Sequence, residues 1–132
     1  MQFGKLKIKC RVVGPEQSPW SGRIHQPEQT VFAYKVSVSA GSARYSTKAW
    51  GSIHDYQSAK HDCSGVSAMV IDELLSANAD PEEFVSMVMG DATGREALKR
   101  GRGAEKVVRA AKKFNYQDLV AAVEEAREKG LL

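Results

Sequence analysis

Residues 5–13 alternate strictly between two kinds of side chain. Leu6, Ile8, Cys10 and Val12 take one side, and Lys5, Lys7, Lys9 and Arg11 take the other. A period of two with β-branched content predicts a strand with one face buried and one solvated. Gly14-Pro15, Ser18-Pro19, Ser21-Gly22 and Pro27 then make a turn-rich stretch that reads as a loop. Alternation returns over residues 30–39, with Phe32, Tyr34, Val36 and Val38 inward, and Ala40-Gly41-Ser42 leads to a third strand over 43–50. Gly41 can supply the positive φ that a tight connection needs, so the second and third strands form a hairpin. The first strand is expected on the edge of that hairpin, giving an antiparallel sheet of about three strands.

After Trp50-Gly51-Ser52 the period changes from two to that of a helix. Val66, Met69, Val70, Leu74 and Ala77 predict a helix over 65–77, starting near Ser64. Asp80-Pro81-Glu82-Glu83 opens a second: Asp80 is placed to cap, Pro81 suits the first helical position, and Glu83 is spaced to complete a capping box. That helix carries Phe84, Val85, Val88 and Met89 and stops at Gly90. Thr93-Gly94-Arg95-Glu96 repeats the capping pattern and starts a third helix running to about Phe114, with Leu98, Ala104, Val107, Val108, Ala111 and Phe114 available to a core. Gly101 and Gly103 each weaken it by ~1 kcal/mol relative to alanine, which makes a break there an open expectation. A last helix begins near Asn115, carries Leu119, Val120, Val123 and Ala126, and ends at Gly130. Strands first and helices second predict an α+β fold: an N-terminal antiparallel sheet followed by a C-terminal bundle of about four helices. One domain spans 1–132, with a sheet half over 1–50 and a helical half over 64–132, and no internal repeat.

Composition narrows the class. The 132 residues are 42% hydrophobic and 27% charged, as in a soluble globular domain. No run approaches the ~18 apolar residues that span a bilayer, so no membrane partner is expected. The first residues lack a signal-peptide core, which makes the expected location cytoplasmic. Cys10 and Cys63 are too few for a disulfide framework and are expected to be free buried thiols.

Charge is informative by segment. Residues 1–50 carry eight Lys/Arg against Glu16 and Glu28, and residues 95–113 carry eight against Glu96 and Glu105; each block is net +6. Between them, residues 51–94 carry Lys60 against eight acids, net −7, and residues 114–132 are net −2. Such blocks make strong local fields on a nearly neutral chain and favour an oppositely patterned partner, unless they neutralise one another within the fold.

The sharpest feature is on the third helix. Arg95, Lys99, Arg102, Lys106, Arg109 and Lys113 recur at spacings of 4, 3, 4, 3 and 4, which puts them in one stripe about five turns long. A cationic stripe of this kind can track phosphates or meet an acidic protein surface; its ordinary alternative is a solvated helix face. Lys5, Lys7, Lys9 and Arg11 make a second basic surface, where lysines also guard an edge strand against aggregation. Whether the two surfaces converge depends on the fold. Tyr34 and Tyr45 are candidate base-stacking residues that also suit the sheet core, and only Phe114 and Tyr116 lie near the stripe. Asp72, Glu73, Asp80, Glu82 and Glu83 would present a negative surface, as in a nucleic-acid mimic, although acids at helix starts also serve the macrodipole.

No catalytic constellation emerges. His54, His61, Asp62 and Cys63 match no zinc template, Cys63 beside His61 lacks an acyl-transfer signature, and Gly101-Arg102-Gly103 is neither a Walker loop nor a dinucleotide fingerprint. The reading is a non-enzymatic protein with no catalytic residue, no metal and no cofactor.

The order of signals resembles small accessory proteins encoded by phages and other mobile elements. The resemblance rests on a hairpin of the type Val31-Phe32-Ala33-Tyr34-Lys35-Val36 and a Trp50-Gly51-Ser52 junction. It continues in an Ile71-Asp72-Glu73-Leu74-Leu75 helix, a Pro81-Glu82-Glu83-Phe84 segment with Gly90, and an alanine- and lysine-rich helix ending in Phe114. It covers about two-thirds of the chain and departs at residues 101–103 and in the helix after Phe114. Most such proteins have no assigned function. The class includes stoichiometric inhibitors of host machinery, among them anti-CRISPR proteins, which act by binding. The resemblance therefore implies a binding protein whose partner is a host protein or nucleoprotein complex. The alternative is a small nucleic-acid-binding protein contacting phosphates through the basic helix. Homodimerisation through the last helix is a further expectation, since its apolar face looks larger than a core requires.

Overall fold

The computed structural model describes residues 1–16, 31–52 and 59–132. The elements run β1 (Gln2–Phe3), β2 (Leu6–Glu16), β3 (Val31–Ala40), β4 (Ala43–Ser52), α1 (Ala59–Ala79), α2 (Pro81–Met89), α3 (Gly94–Ala111) and α4 (Tyr116–Glu128). The strands form one antiparallel sheet in the order β1-β2-β3-β4. This is the expected α+β order with one more strand: the two-residue β1 pairs Gln2 with Lys7 and Phe3 with Leu6. The turn-rich stretch after β2 lies outside the described residues from Gln17 onward.

Alternation in the sequence becomes two different faces of the sheet. Leu6, Ile8, Phe32, Tyr34, Val36, Val38 and Tyr45 are buried on the helix-covered face. The hairpin turns at Gly41, whose φ of +61° fills the left-handed first position of a two-residue loop between Ala40 and Ala43. Gly4 does the same between β1 and β2 at φ +55°, and a Cβ there would lie 3.6 Å from the Ala122 backbone nitrogen in α4. The Gly4 N–H donates to the Glu125 carboxylate, and this bond, helped by Lys129, holds the Glu125 carboxyl below its usual range.

The helical half packs around α1, which contacts all three long strands and the other three helices. Its buried residues Cys63, Val66, Ser67, Ala68, Val70, Ile71, Leu74 and Ala77 cover far more than one stripe, as a helix covered on two sides requires. The helix begins earlier than the apolar spacing suggests, at Ala59, and Met69, which shares that spacing, is 59% exposed. Near its C-terminus the Asn78 amide donates to the carbonyls of Ala111 (2.9 Å) and Phe114 (3.2 Å), satisfying acceptors that the end of α3 leaves unpaired.

Helix starts are only partly as expected. Asp80 Oδ1 accepts from the Glu83 N–H at 3.1 Å, but the Asp80 N–H is already taken by the Ser76 carbonyl, so the capping box is half formed. Thr93 makes no side-chain cap, and Glu96 instead pairs with Arg100 at 2.5 Å. Asn115 caps α4 by accepting from the Asp118 N–H at 3.2 Å. The glycines at 101 and 103 do not break α3, which runs unbroken to Ala111; Lys112 caps it, and Lys113 lies beyond it. Leu98 points away from the core and is 68% exposed. The apolar face of α4 is not surplus: Leu119, Ala122, Val123 and Ala126 are fully buried within the chain's own core, which removes the reason for expecting homodimerisation there.

The expectation of two free thiols is corrected. Cys10 and Cys63 are joined in a disulfide, with Cα atoms 5.8 Å apart, linking β2 to the first turns of α1. A spacing of 53 residues carries no sign of this pairing, because strand-on-helix packing brings the two together. Closing a loop of that length restricts the unfolded chain by about 4 kcal/mol in the chain-entropy model. Replacing both cysteines by serine is therefore expected to lower unfolding stability by about 2–4 kcal/mol, measured by urea denaturation of the oxidised protein and the variant. Equal midpoints and slopes would show that the crosslink does not stabilise this fold.

Candidate polyanion-binding surface

The register of the sheet aligns its solvated positions into rows. Lys7 pairs with Ser39, and Ser39 with Arg44; Lys9 pairs with Ser37, and Ser37 with Ser46; Arg11 pairs with Lys35, and Lys35 with Lys48. These nine side chains lie opposite the helix-covered face, and all are exposed except the half-buried Ser39. Six are cations, three are serines, and none is acidic or apolar. With strands ~4.8 Å apart and alternate residues ~6.7 Å apart, the rows cover about 10 by 13 Å. The Ser37 and Ser46 hydroxyls hydrogen-bond at 3.1 Å in the centre. The contributions of Lys35, Arg44 and Lys48 were missed in sequence because only strand pairing sets them beside β2.

Lys5 does not belong to this face. It sits in the β1–β2 turn, with its ammonium 4.0 Å from Asp118 of α4. The other three basic residues of the first strand, Lys7, Lys9 and Arg11, are on the outer face as expected.

The helical stripe is also real. Arg95, Lys99, Arg102, Lys106 and Arg109 are exposed along α3, and none of them pairs with an acid among the described residues. Lys113 is exposed in the turn that follows the helix. Arg100, off the stripe, is committed to Glu96 and to the Met89 carbonyl at 3.4 Å.

The two basic surfaces meet at the β4 edge, where α3 packs alongside the strand. A cleft of about 540 Å³ is lined there by Lys35, Ser37, Ser46, Thr47 and Lys48 of the hairpin together with Lys106 and Gly103 of α3. Glu73 of α1 and Tyr45 lie in the same cleft. Burial pushes the Glu73 carboxyl above its usual range. Burial also raises the Tyr45 hydroxyl, with a smaller push from the Glu73 charge, against a hydrogen bond with Thr47 that lowers it. A second cleft of about 1040 Å³ shares Glu73, Gly103 and Val107 with the first and continues past Phe84 and Val88 to Arg95 and Lys99.

Other sequence candidates are placed differently. Tyr34 and Tyr45 are buried in the sheet core and Phe114 is buried as well, while Tyr116 is 47% exposed. Asp80, Glu82 and Glu83 are exposed at the start of α2, whereas Asp72 and Glu73 are half-buried on α1, so the five acids do not form one open surface. His54 and the side chains of His61 and Asp62 lie outside the described residues, and Cys63 is in the disulfide. Among the described residues no cluster of three His, Cys, Asp or Glu could hold a metal, and no helix is long and apolar enough to cross a membrane.

No family model, curated protein or solved structure matches the chain.

A carboxyl whose folded pKa lies above its unfolded value of about 4.5 favours the fold in its protonated form. That contribution is fully present below the unfolded value and is lost as pH rises through the folded one. Glu73→Gln removes it, so the melting temperature of the variant minus that of wild type is expected to increase as pH is raised above 4.5. Thermal unfolding at a series of pH values checks this, and a pH-independent difference would mean that Glu73 titrates as it does in the unfolded chain.

Proposed function

We propose that this protein is a non-enzymatic binding protein that docks on the phosphate backbone of nucleic acid, free or within a nucleoprotein complex. The observation that carries the reading is the outer face of the sheet, with six cations and three serines in register and no apolar side chain among them. Protein interfaces are depleted in lysine and centre on aromatic or aliphatic anchors, which these three rows lack. Phosphate contacts need cations and hydroxyl donors, which it has. Over the ~13 Å that the rows span, one strand of a duplex presents about four phosphates. The α3 stripe extends the same field around the β4 edge.

An acidic surface on a host protein is the competing partner. The resemblance to mobile-element accessory proteins fits either, since an inhibitor of a defence complex can act on its nucleic acid or on its protein. The proposed setting is the cytoplasm of a host cell. The disulfide counts against a reducing cytoplasm, because such bonds persist mainly in oxidising surroundings.

With four to six phosphates neutralised, the logarithm of affinity for a short duplex should fall with the logarithm of salt concentration at a slope of about −4 to −5. Two folded variants, Lys9→Glu/Arg11→Glu/Lys35→Glu and Arg102→Glu/Lys106→Glu/Arg109→Glu, should each weaken binding and flatten that slope. Fluorescence anisotropy with labelled oligonucleotides measures both. A flat salt response, or a protein partner captured from nuclease-treated lysate and lost with the α3 variant, would replace nucleic acid with an acidic protein surface.

A further inference from the structure

The cleft at the β4 edge has a composition that phosphate tracking does not require. Along with Lys35, Lys48 and Lys106 it contains the carboxyl of Glu73, which would repel a bare anion. At about 540 Å³ it falls within the 300–1,000 Å³ usual for a small-molecule site and far exceeds what a phosphate fills. Its groups come from three elements: ammonium and hydroxyl groups from the hairpin and α3, and the carboxyl from α1. A ligand that satisfies both kinds of group carries an anion and an N–H donor.

We propose that this cleft binds one nucleotide of a single strand, with the lysines and Ser37, Ser46 or Thr47 on its phosphate and Glu73 accepting from the exocyclic amino group of the base. This rests on the nucleic-acid reading of the outer face and adds a preference to it. A carboxylate accepts from cytosine N4 but faces a carbonyl oxygen in uracil, so the cleft discriminates amino-bearing bases from uracil. Gly103 lines the cleft, and a Cβ at that position would meet no atom within 4 Å. A larger side chain there therefore enters open space without disturbing the fold, and α3 gains helix propensity.

The experiment uses the whole chain with cytidine and uridine monophosphates, inorganic phosphate, and single-stranded oligocytidine and oligouridine. Binding is followed by calorimetry for the small ligands and by anisotropy for the oligonucleotides. The expected result is cytidine monophosphate binding roughly tenfold tighter than uridine monophosphate or phosphate. Glu73→Gln should remove most of that ratio, weakening cytidine monophosphate binding and relieving the repulsion that uridine monophosphate meets. Gly103→Leu, with an unfolding midpoint no lower than wild type, should lose the mononucleotide. A cytidine-to-uridine ratio near one, a ratio unchanged in Glu73→Gln, or unchanged mononucleotide binding in a folded Gly103→Leu would each overturn the assignment. If oligonucleotides still bind with a steep salt slope in those cases, the outer-face reading survives and the cleft alone fails; if no oligonucleotide binds, both fail.

Discussion

The arrangement depends on α1 being covered on two sides. A helix that buries Val66, Val70, Ile71 and Leu74 together with Ser67 and Ala68 presents apolar or small residues around much of its circumference. Each large aliphatic side chain removed from water contributes about 1.5–3 kcal/mol, and no single neighbouring layer can reach all of them. The sheet supplies one cover, and α3 and α4 supply another. Two further tertiary ties act at the ends of this helix: the disulfide joins its first turns to β2, and Asn78 joins its last turn to the end of α3. With the inner face of the sheet committed to α1, the three rows of alternate residues on β2, β3 and β4 face water, although Ala33 further along the same side is buried.

That constraint requires polar residues on the outer face but says nothing of their sign. Alternating charges would satisfy solvation with less repulsion, since two like charges ~6.7 Å apart repel by about 0.6 kcal/mol even at the dielectric constant of water. Six cations with no acid among them are thus not a product of folding. Protection of sheet edges accounts for some: among the described residues, most of β2 lies beyond its short pairing with β1, and β4 has no neighbour on its far side. It does not account for Lys35, on a strand paired on both sides and placed between Arg11 and Lys48. Lys35 is where the binding interpretation has least competition from a structural one.

Local patterns in the sequence transferred well to the structure, and distant relations did not. The alternation over Leu6–Val12, the Gly41 turn, the stop at Gly90 and the Asn115 cap are each set by a few adjacent residues, and each is present. Strand β1 was not legible because two residues carry no period; Phe3 is buried through its packing in the core. The start of α1 was missed because Ala59-Lys60-His61-Asp62 has no apolar spacing. The Asp80 capping box failed in half because α1 runs almost directly into α2 and its Ser76 carbonyl claims the Asp80 N–H first. For the candidate surface, the α3 stripe was visible from spacing alone. The rows on the sheet were not, because their alignment exists only in the register between strands.

The two glycines of α3 show how a shared local cost can have different origins. Each opposes the helix by ~1 kcal/mol relative to alanine, yet the helix persists, held by Ala104, Val107 and Ala111 in the core and by Asn78 at its end. At Gly101 a Cβ would come into contact with the flexible Met89 side chain of α2, 3.4 Å from its sulfur. At Gly103 no such contact exists, since a Cβ would meet nothing within 4 Å. Packing does not ask for a glycine there, and helix propensity disfavours it. What the missing side chain leaves is open space. A glycine that packing does not require thus lines both clefts, as Glu73 does.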